Sequence, residues 1–276
     1  MKSCTTTRLC ALSGISCQAF YKGRKKRKSK EVDEDFIIEL VLEQRKIHPR
    51  MGGCKLLYQI RPKLAQNGMS IGRDRFFKLL SKRGLLITPK RRWVKTTDSH
   101  HNLPLYRNLL YYYETTGPNQ VWVSDITYVR TDEGWQYLSL VTDLYSRKIV
   151  GWNLGETLHA SESVQALQMA IGQLPAHRYP IHHSDRGSQY CCWDYVKELK
   201  DASLSISMTE HNHCAENCYA ERVNGILKNE YNLDMNFRNK EQVFIAVSQA
   251  IETYNHLRPH NSLGMKIPSE VHEDVA

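Results

Sequence analysis

The hydrophobic pattern of this chain changes near residue 120, and this change most limits the folds open to it. Before that point, apolar residues recur at helical spacing; after it, runs of β-branched and aromatic residues alternate with helical segments. The charge reverses at the same place, since residues 1–118 hold 25 Lys or Arg and 9 Asp or Glu, whereas residues 119–276 hold 13 and 20. We therefore expect a basic helical part that binds a polyanion and a second part with different chemistry.

The basic half predicts an arm followed by three helices. Residues 22–30 are a run of like charge, which is either a solvated linker or an arm that contacts phosphates. Pro62 argues for a break in the second helix, Asn67-Gly68 forms the next turn, and Ser70 is a reasonable N-cap for the third helix. The three helices are predicted over 32–47, 54–66 and 71–83.

A helix, a short glycine turn and a basic helix together form the outline of a helix-turn-helix DNA reader. The third predicted helix keeps one apolar side for a core and carries five basic residues: Arg73, Arg75, Lys78, Lys82 and Arg83. A small helical bundle with a charged face is the alternative. We divide this half into a basic arm, a DNA-binding region and a linker, over 1–31, 32–87 and 88–119.

The second half, residues 120–276, predicts a mixed α/β fold. Three strands with short links form an antiparallel meander, and strand–helix–strand units follow it. We therefore predict a mixed five-stranded sheet with flanking helices. The strands are predicted over 120–129, 135–144, 148–154, 180–184 and 204–208, and the helices over 160–173, 189–201, 216–232 and 240–256.

Three acidic residues stand out in this half. Asp125 lies in mid-strand, where Asp is disfavoured, and Asp185 closes the fourth strand, where open α/β sheets bind ligands. Each acid also has an interpretation without catalysis: Asp125 could lie at a solvated sheet edge, and Asp185 could cap the helix that follows. The third acid, Glu221, shares a predicted helix face with three polar residues, Asn217, Asn224 and Lys228. Such an arrangement is typical either of a polar site or of a solvated face.

The sequence around these acids resembles the catalytic core of bacterial insertion-sequence transposases related to retroviral integrases. The resemblance rests on Trp-Val-Ser-Asp-Ile-Thr-Tyr around Asp125, His-His-Ser-Asp-Arg-Gly-Ser-Gln-Tyr around Asp185, and the stretch from 216 to 228. Residues 48–54 resemble the opening of the helix-turn-helix in second-reading-frame transposases, and residues 254–263 with Pro268 resemble their C-terminal signature. The resemblance runs from about residue 10 to 272.

This resemblance implies a ribonuclease-H-like core and a DDE-type transposase that cleaves and joins DNA at insertion-sequence ends. Asp125, Asp185 and Glu221 would hold two Mg²⁺ ions, which Mn²⁺ can replace, and Asp125 would bridge them. Lys228 would hold a phosphate near the site, and Asn217 would orient the end of the DNA. Two alternatives are a catalytically inactive DNA-binding protein that kept the fold and a ribonuclease-H-like nuclease without strand transfer.

Several further expectations accompany this assignment. By alternation His183 lies on the same side of its strand as Asp185, where it either touches DNA or packs in the core. A zinc site is not expected, because its four ligands would come from one loop and helix start: His211, His213, Cys214 and Cys218. The expected partners are DNA, further copies of the chain and a segment from an upstream frame. We expect a bacterial cytoplasmic, nucleoid-associated protein, because the eight cysteines lack the density and regular spacing of a disulfide framework and are expected to be reduced. No stretch approaches the ~20 apolar residues of a membrane helix.

Overall fold

The structure is a computed structural model that describes residues 5–88, 103–210 and 216–274, without the side chains of residues 26–30. The chain divides into two compact units, Met1–Ile47 with Gly52–Ile87, and His48–Met51 with Thr88–Ala276. The assignment of arm, DNA-binding region, linker and catalytic core stays a prediction. No helix within the described ranges is long and apolar enough to cross a membrane.

The first unit is a small helical assembly around its own core. Its helices are α1 Thr6–Leu12, α2 Cys17–Ile47, α3 Gly53–Gln66 and α4 Arg73–Lys82. Apolar side chains of α2, α3 and α4 pack together between the helices, and the most buried are Val41, Leu56, Ile60, Leu64, Phe76 and Leu80.

Three details of this unit differ from the sequence-based prediction. Helix α2 begins at Cys17 and not near residue 32, because Lys and Arg are good helix formers and the basic run simply continues the helix. Pro62 does not break α3; it lies on an exposed side of the helix, where water can bind the carbonyl that Pro leaves without a donor. The N-cap of α4 is Gly72 and not Ser70.

The second unit is built on a mixed sheet in the order β3-β2-β1-β4-β5. The first three strands form the predicted antiparallel meander, and β4 and β5 add to it in parallel. A sixth strand of two residues, too short to show a pattern in the sequence, pairs with the far end of β1. The strands are β1 Val121–Thr131, β2 Gly134–Asp143, β3 Ile149–Gly155, β4 Ile181–Ser184, β5 Ser205–Met208 and β6 Asn236–Phe237.

Helices cover both faces of this sheet, which gives the predicted ribonuclease-H-like layering. One core joins the sheet to α5, α6 and α7 through residues such as Trp122, and the other joins it to α8 and α9 through residues such as Val129. The predicted helix over 189–201 is divided at Cys192, whose backbone is extended. The helices are α5 Ala160–Gly172, α6 Ser188–Cys191, α7 Trp193–Asp201, α8 Cys218–Glu230, α9 Lys240–His256 and α10 Pro268–Glu273.

Strand β3 and helix α5 approach each other closely at Gly151. A Cβ at this position would lie 2.2 Å from the carbonyl oxygen of Ala166 and 2.9 Å from the Cβ of Ala170. Backbone atoms cannot give way as a flexible side chain can, so the helix would have to move off the sheet. Glycine is therefore required here for close packing.

We expect Gly151→Ala to lower the free energy of unfolding by about 1–3 kcal/mol, the usual range for overpacking. The matched control is Gly172→Ala at the end of α5, where an added Cβ meets no atom within 4 Å. Urea unfolding of both variants measures the effect. Equal stability of the two variants would contradict the close approach of β3 and α5.

Candidate active site

The candidate site lies at a gap along one edge of β1. Strand β4 pairs with this edge as far as Val123, opposite His183, and β6 pairs with it from Arg130 onward. Within the described part of the chain, no strand pairs with the edge between these two points. Continuing the parallel register by two residues places Asp125 opposite Asp185, which follows the end of β4 directly. The sheet thus brings together two acids that are far apart in sequence.

The carboxylate of Asp125 is half-buried and held by two hydrogen bonds. Its Oδ2 accepts from Asn224 Nδ2 at 2.8 Å, and its Oδ1 accepts from the backbone N–H of Ile126 at 2.9 Å. Burial raises the pKa of Asp125 to about 7; the charge of Asp185 adds to the rise, the two hydrogen bonds oppose it, and the charge of Glu221 adds least. Asp125 is therefore an acid whose ionised form is disfavoured by its surroundings.

Asp185 stands in the tight connection between β4 and α6. Its Oδ1 accepts from the backbone N–H of Gly187 at 3.0 Å, so the loop turns around the carboxylate. A Cβ at residue 187 would lie 3.0 Å from the same oxygen, tighter than an ordinary contact. The Asp-Arg-Gly sequence thus fixes this carboxylate beside β1.

Glu221 belongs to the first turn of α8 and its side chain is exposed. Asn217, which precedes α8, donates from Nδ2 to the backbone oxygen of Ser124 at 3.2 Å, and Asn224 binds Asp125 one turn after Glu221. These two amides hold the helix against β1 on either side of the third acid. In the described ranges, no three His, Cys, Asp or Glu side chains are grouped closely enough to hold a metal ion. The charge of Glu221 nevertheless contributes to the raised pKa of Asp125.

The chemistry of the donors fits a divalent cation. Carboxylate oxygens are the ligands that hard cations such as Mg²⁺ prefer, and a cation beside Asp125 would reverse the effect of Asp185 on its pKa. The amide oxygens of Asn217 and Asn224 are also buried without a hydrogen-bond partner among the described residues. Among the described residues, an unpartnered amide oxygen therefore lies on either side of Glu221.

The other residues predicted for the site occupy distinct places. Lys228 lies two turns beyond Glu221 on α8, with its Nζ 4.5 Å from the centre of the Tyr128 ring on β1. Asn217 is buried, and its contact with β1 is a structural one that the sequence did not indicate. His183 is fully buried with Nδ1 2.8 Å from Ser207 Oγ, so of its two alternatives the structure shows packing. Three of the four residues that a zinc site would need, at 211, 213 and 214, lie outside the described residues.

The role of Asn224 was missed by sequence reasoning, although its place on the same face as Glu221 was the signal for it. Half of the Tyr219 side chain, in the first turn of α8, is exposed. It stacks against the guanidinium of Arg147, whose Cζ lies 4.2 Å from the ring centre. A cation on the aromatic face lets Tyr219 stay at the surface, which helical spacing alone does not reveal.

In the first unit, the four basic residues of α4 and Arg83, which follows it directly, are all exposed. Arg75 and Lys82 lie 3.7 and 3.8 Å from Glu34 of α2, and Arg83 pairs with Asp35 of the same helix. The pair of Arg83 with Asp35 is exposed on both sides and therefore weak, whereas the Glu34 side chain is only 13% exposed. Since all five basic side chains are exposed, the basic face of α4 is available to an anionic partner.

Comparison with known proteins places this arrangement in a family. Two family models described as integrase core domain match residues 115–214 and 202–268. Among solved structures, the HTLV-2 integrase catalytic core domain in complex with magnesium is 20% identical with a TM-score of 0.46, and the match covers 58% of this chain and 100% of that chain.

Similarity to curated relatives extends over much more of the chain. The insertion element IS600 uncharacterized 31 kDa protein of Shigella sonnei is 36% identical over 269 residues, 96% of this chain and 97% of that protein. Transposase InsF for insertion sequence IS3A of Escherichia coli K12 is 38% identical over 193 residues, 69% of this chain and 67% of that protein. The chain therefore belongs to the insertion-sequence transposases of the DDE transposase and integrase superfamily.

Proposed function

We propose that this transposase cleaves and joins DNA at insertion-sequence ends with Asp125, Asp185 and Glu221 as its metal-binding carboxylates and Mg²⁺ as its ion. The observation that carries the proposal is the position of Asp125 in the gap of β1, opposite Asp185, where burial and like charge raise its pKa. Members of this superfamily use divalent metal ions. All three acids and Lys228 are present, which favours an active enzyme over a DNA-binding protein that lost its chemistry.

The chemistry needs negative charge to be stabilised on the attacking and the leaving oxygen of a phosphodiester. Bound Mg²⁺ would supply this stabilisation and would activate water or a DNA 3′-hydroxyl as the nucleophile. Asp125 would contribute ligands from the centre of the site, because it faces both Asp185 and α8. Asn224 orients its carboxylate, and the backbone N–H of Gly187 orients that of Asp185.

Glu221 would complete the site from α8 when DNA and the ion are bound. Lys228 on the same helix would hold a phosphate, since its ammonium lies over the Tyr128 ring three residues along β1 from Asp125. Asn217 would act by fixing the start of α8 to β1, because its side chain is buried against Ser124. Contact between Asn217 and the end of the DNA has no support from this placement.

The basic face of α4 would bind DNA through its phosphates. Arg73, Arg75, Lys78, Lys82 and Arg83 are exposed on a helix that follows a short turn, as in helix-turn-helix readers. Joining two element ends to a target requires more than one active site, so we expect the chain to act as a homo-multimer. A DNA-binding segment encoded in an upstream frame would add to this assembly.

The first test is the removal of each acid. Asp125→Asn, Asp185→Asn and Glu221→Gln should each reduce cleavage and joining to background while binding of end DNA persists, because they remove metal ligands and leave α4 intact. Asp201→Asn, an exposed carboxylate at the end of α7, is the matched control and should keep its activity. Near-normal cleavage by any of the three variants with Mg²⁺ would show that the residue is misassigned.

The second test is the pH dependence of stability without metal. The folded pKa of Asp125, about 7, lies above its unfolded value of 3.8, so the folded state binds the proton more tightly. The free energy of unfolding should therefore fall as pH rises between these values, by at most about 1.4 kcal/mol per pH unit for one proton. Asp125→Asn should remove this dependence, and its melting temperature in chelator should exceed that of wild type most clearly above pH 7.

Mg²⁺ completes the same experiment. At a concentration ten times its dissociation constant, an ion that binds only the folded state raises the free energy of unfolding by roughly 1.4 kcal/mol. This corresponds to a rise of a few degrees in melting temperature. Wild type should show this rise and Asp125→Asn far less of it. If Asp125→Asn melts lower than wild type in chelator at every pH and still gains the full Mg²⁺ shift, the acids do not form one metal site.

The third test concerns α4. Replacing both Arg73 and Lys78 by Ala should weaken binding to duplex DNA. The slope of the logarithm of the binding constant against the logarithm of the salt concentration should become shallower by about one for each lost phosphate contact. Lys200→Ala, an exposed lysine on α7, is the control and should leave both unchanged. Titrations at several salt concentrations measure the slopes. Equal slopes for the double variant and wild type would place the DNA contact elsewhere.

A further inference from the structure

The C-terminal signature, residues 254–263 with Pro268, begins in the last turn of α9 and has no role in the proposed metal chemistry. We propose that its side chains Tyr254 and Arg258 are positioning residues that hold α8 at both ends and thereby set the place of Glu221. This inference rests on the proposed role of Glu221 as a metal ligand. It assigns to the signature a function in the active site without contact to DNA or metal.

The first contact lies at the C-terminal end of α8. Arg258 donates from Nε to Glu230 Oε2 at 2.8 Å and from Nη2 to Glu230 Oε1 at 2.9 Å, which is a two-point pair. The Arg258 side chain is 2% exposed and that of Glu230 is 15% exposed. Charge-assisted pairs of this geometry are strong and directional, and a removed partner leaves a buried charge without compensation. The last turn of α8 is thus fixed to the segment that follows α9.

The second contact reaches the N-terminal end of α8 through Arg147. The hydroxyl of Tyr254 donates to the backbone oxygen of Arg147 at 3.0 Å. Arg147 has a left-handed φ of 65°, which a non-glycine residue adopts only when its surroundings impose it. Its guanidinium lies 4.2 Å from the ring centre of Tyr219, two residues before Glu221. Tyr254 therefore fixes the backbone at Arg147, and the Arg147 side chain in turn covers Tyr219 in the first turn of α8.

The end of α9 is itself tied to the sheet. Asn255 accepts from the backbone N–H of Ile149 and donates to its carbonyl oxygen, both at 2.9 Å, as a neighbouring strand would. Tyr254 is fully buried beside it in the core shared by α8 and α9. The signature thus connects α8 to β3 at a defined distance, and any movement of α8 has to break these contacts.

This connection matters because Glu221 is carried by α8, whereas Asp125 lies in β1 and Asp185 follows β4. Glu230 lies nine positions after Glu221, so about 13 Å of helix connects the pair with Arg258 to the third acid. A small tilt of α8 at its C-terminal end moves Glu221 relative to the two acids on the sheet. The contacts of Tyr254 and Arg258 restrict this tilt.

The test uses Tyr254→Phe and Arg258→Lys, with Ser163→Ala as the matched control. Ser163 shares a buried hydrogen bond with Ser139 at 3.1 Å, on the opposite face of the sheet from α8. All three variants lose one buried polar contact and should melt lower than wild type in chelator. Two quantities are then measured well below the melting temperature, the Mg²⁺ concentration for half-maximal strand transfer and the Mn²⁺ concentration for half-maximal thermal stabilisation.

We expect Tyr254→Phe and Arg258→Lys to need several-fold more metal in both measurements, which is less than the roughly 10–100-fold typical of residues bonded to a metal ligand, because both act through α8. DNA binding should not change, and Ser163→Ala should match wild type in both. If the two variants need no more metal than Ser163→Ala, the inference is wrong although the proposed function stands. If wild type itself shows no metal dependence, the proposed function falls as well. Tyr254→Phe loses only one hydroxyl, so it decides the question even if Arg258→Lys does not fold.

Discussion

The repulsion between Asp125 and Asp185 is the constraint on which the rest of the catalytic unit depends. Both acids stand where β4 ends beside β1, and burial together with the charge of Asp185 raises the pKa of Asp125 to about 7. A folded chain tolerates such a pair only if other contacts hold it in place. The sheet, the amide of Asn224 and the turn at Gly187 do so, and they keep the carboxylates ready for a cation.

Helix α8 is the second part of the same arrangement. Its buried side packs on the sheet, and amides of Asn217 and Asn224 attach it to β1 on either side of Glu221. The third acid is exposed, and the described carboxylates do not form a closed metal-binding group. The contacts at both ends of this helix are relevant to the chemistry, because α8 carries Glu221.

Most strands and helices of the second half could be predicted from the sequence, because their apolar residues recur at strand or helix spacing and turn residues mark their ends. The sequence correctly predicted that Asp125 lies within the first strand and that Asp185 lies at the end of the fourth. The predicted start of α2 was wrong, because the basic run contains no apolar residues at helical spacing, although its Lys and Arg residues favour a helix. The burial of His183 and the pair of Arg258 with Glu230 could not be predicted, since each depends on a partner brought near only by the fold.

The most direct test of the account is to map the metal on the chain without reference to activity. Fe²⁺ can replace Mg²⁺ at oxygen sites, and with ascorbate and peroxide it cleaves the backbone next to the place where it is bound. Mass spectrometry of the fragments should show cuts beside Asp125, Asp185 and Glu221 in the same molecule population, and excess Mg²⁺ should suppress all three together. Cuts that avoid any one of these positions, or that Mg²⁺ does not suppress, would contradict a metal site formed by the three acids.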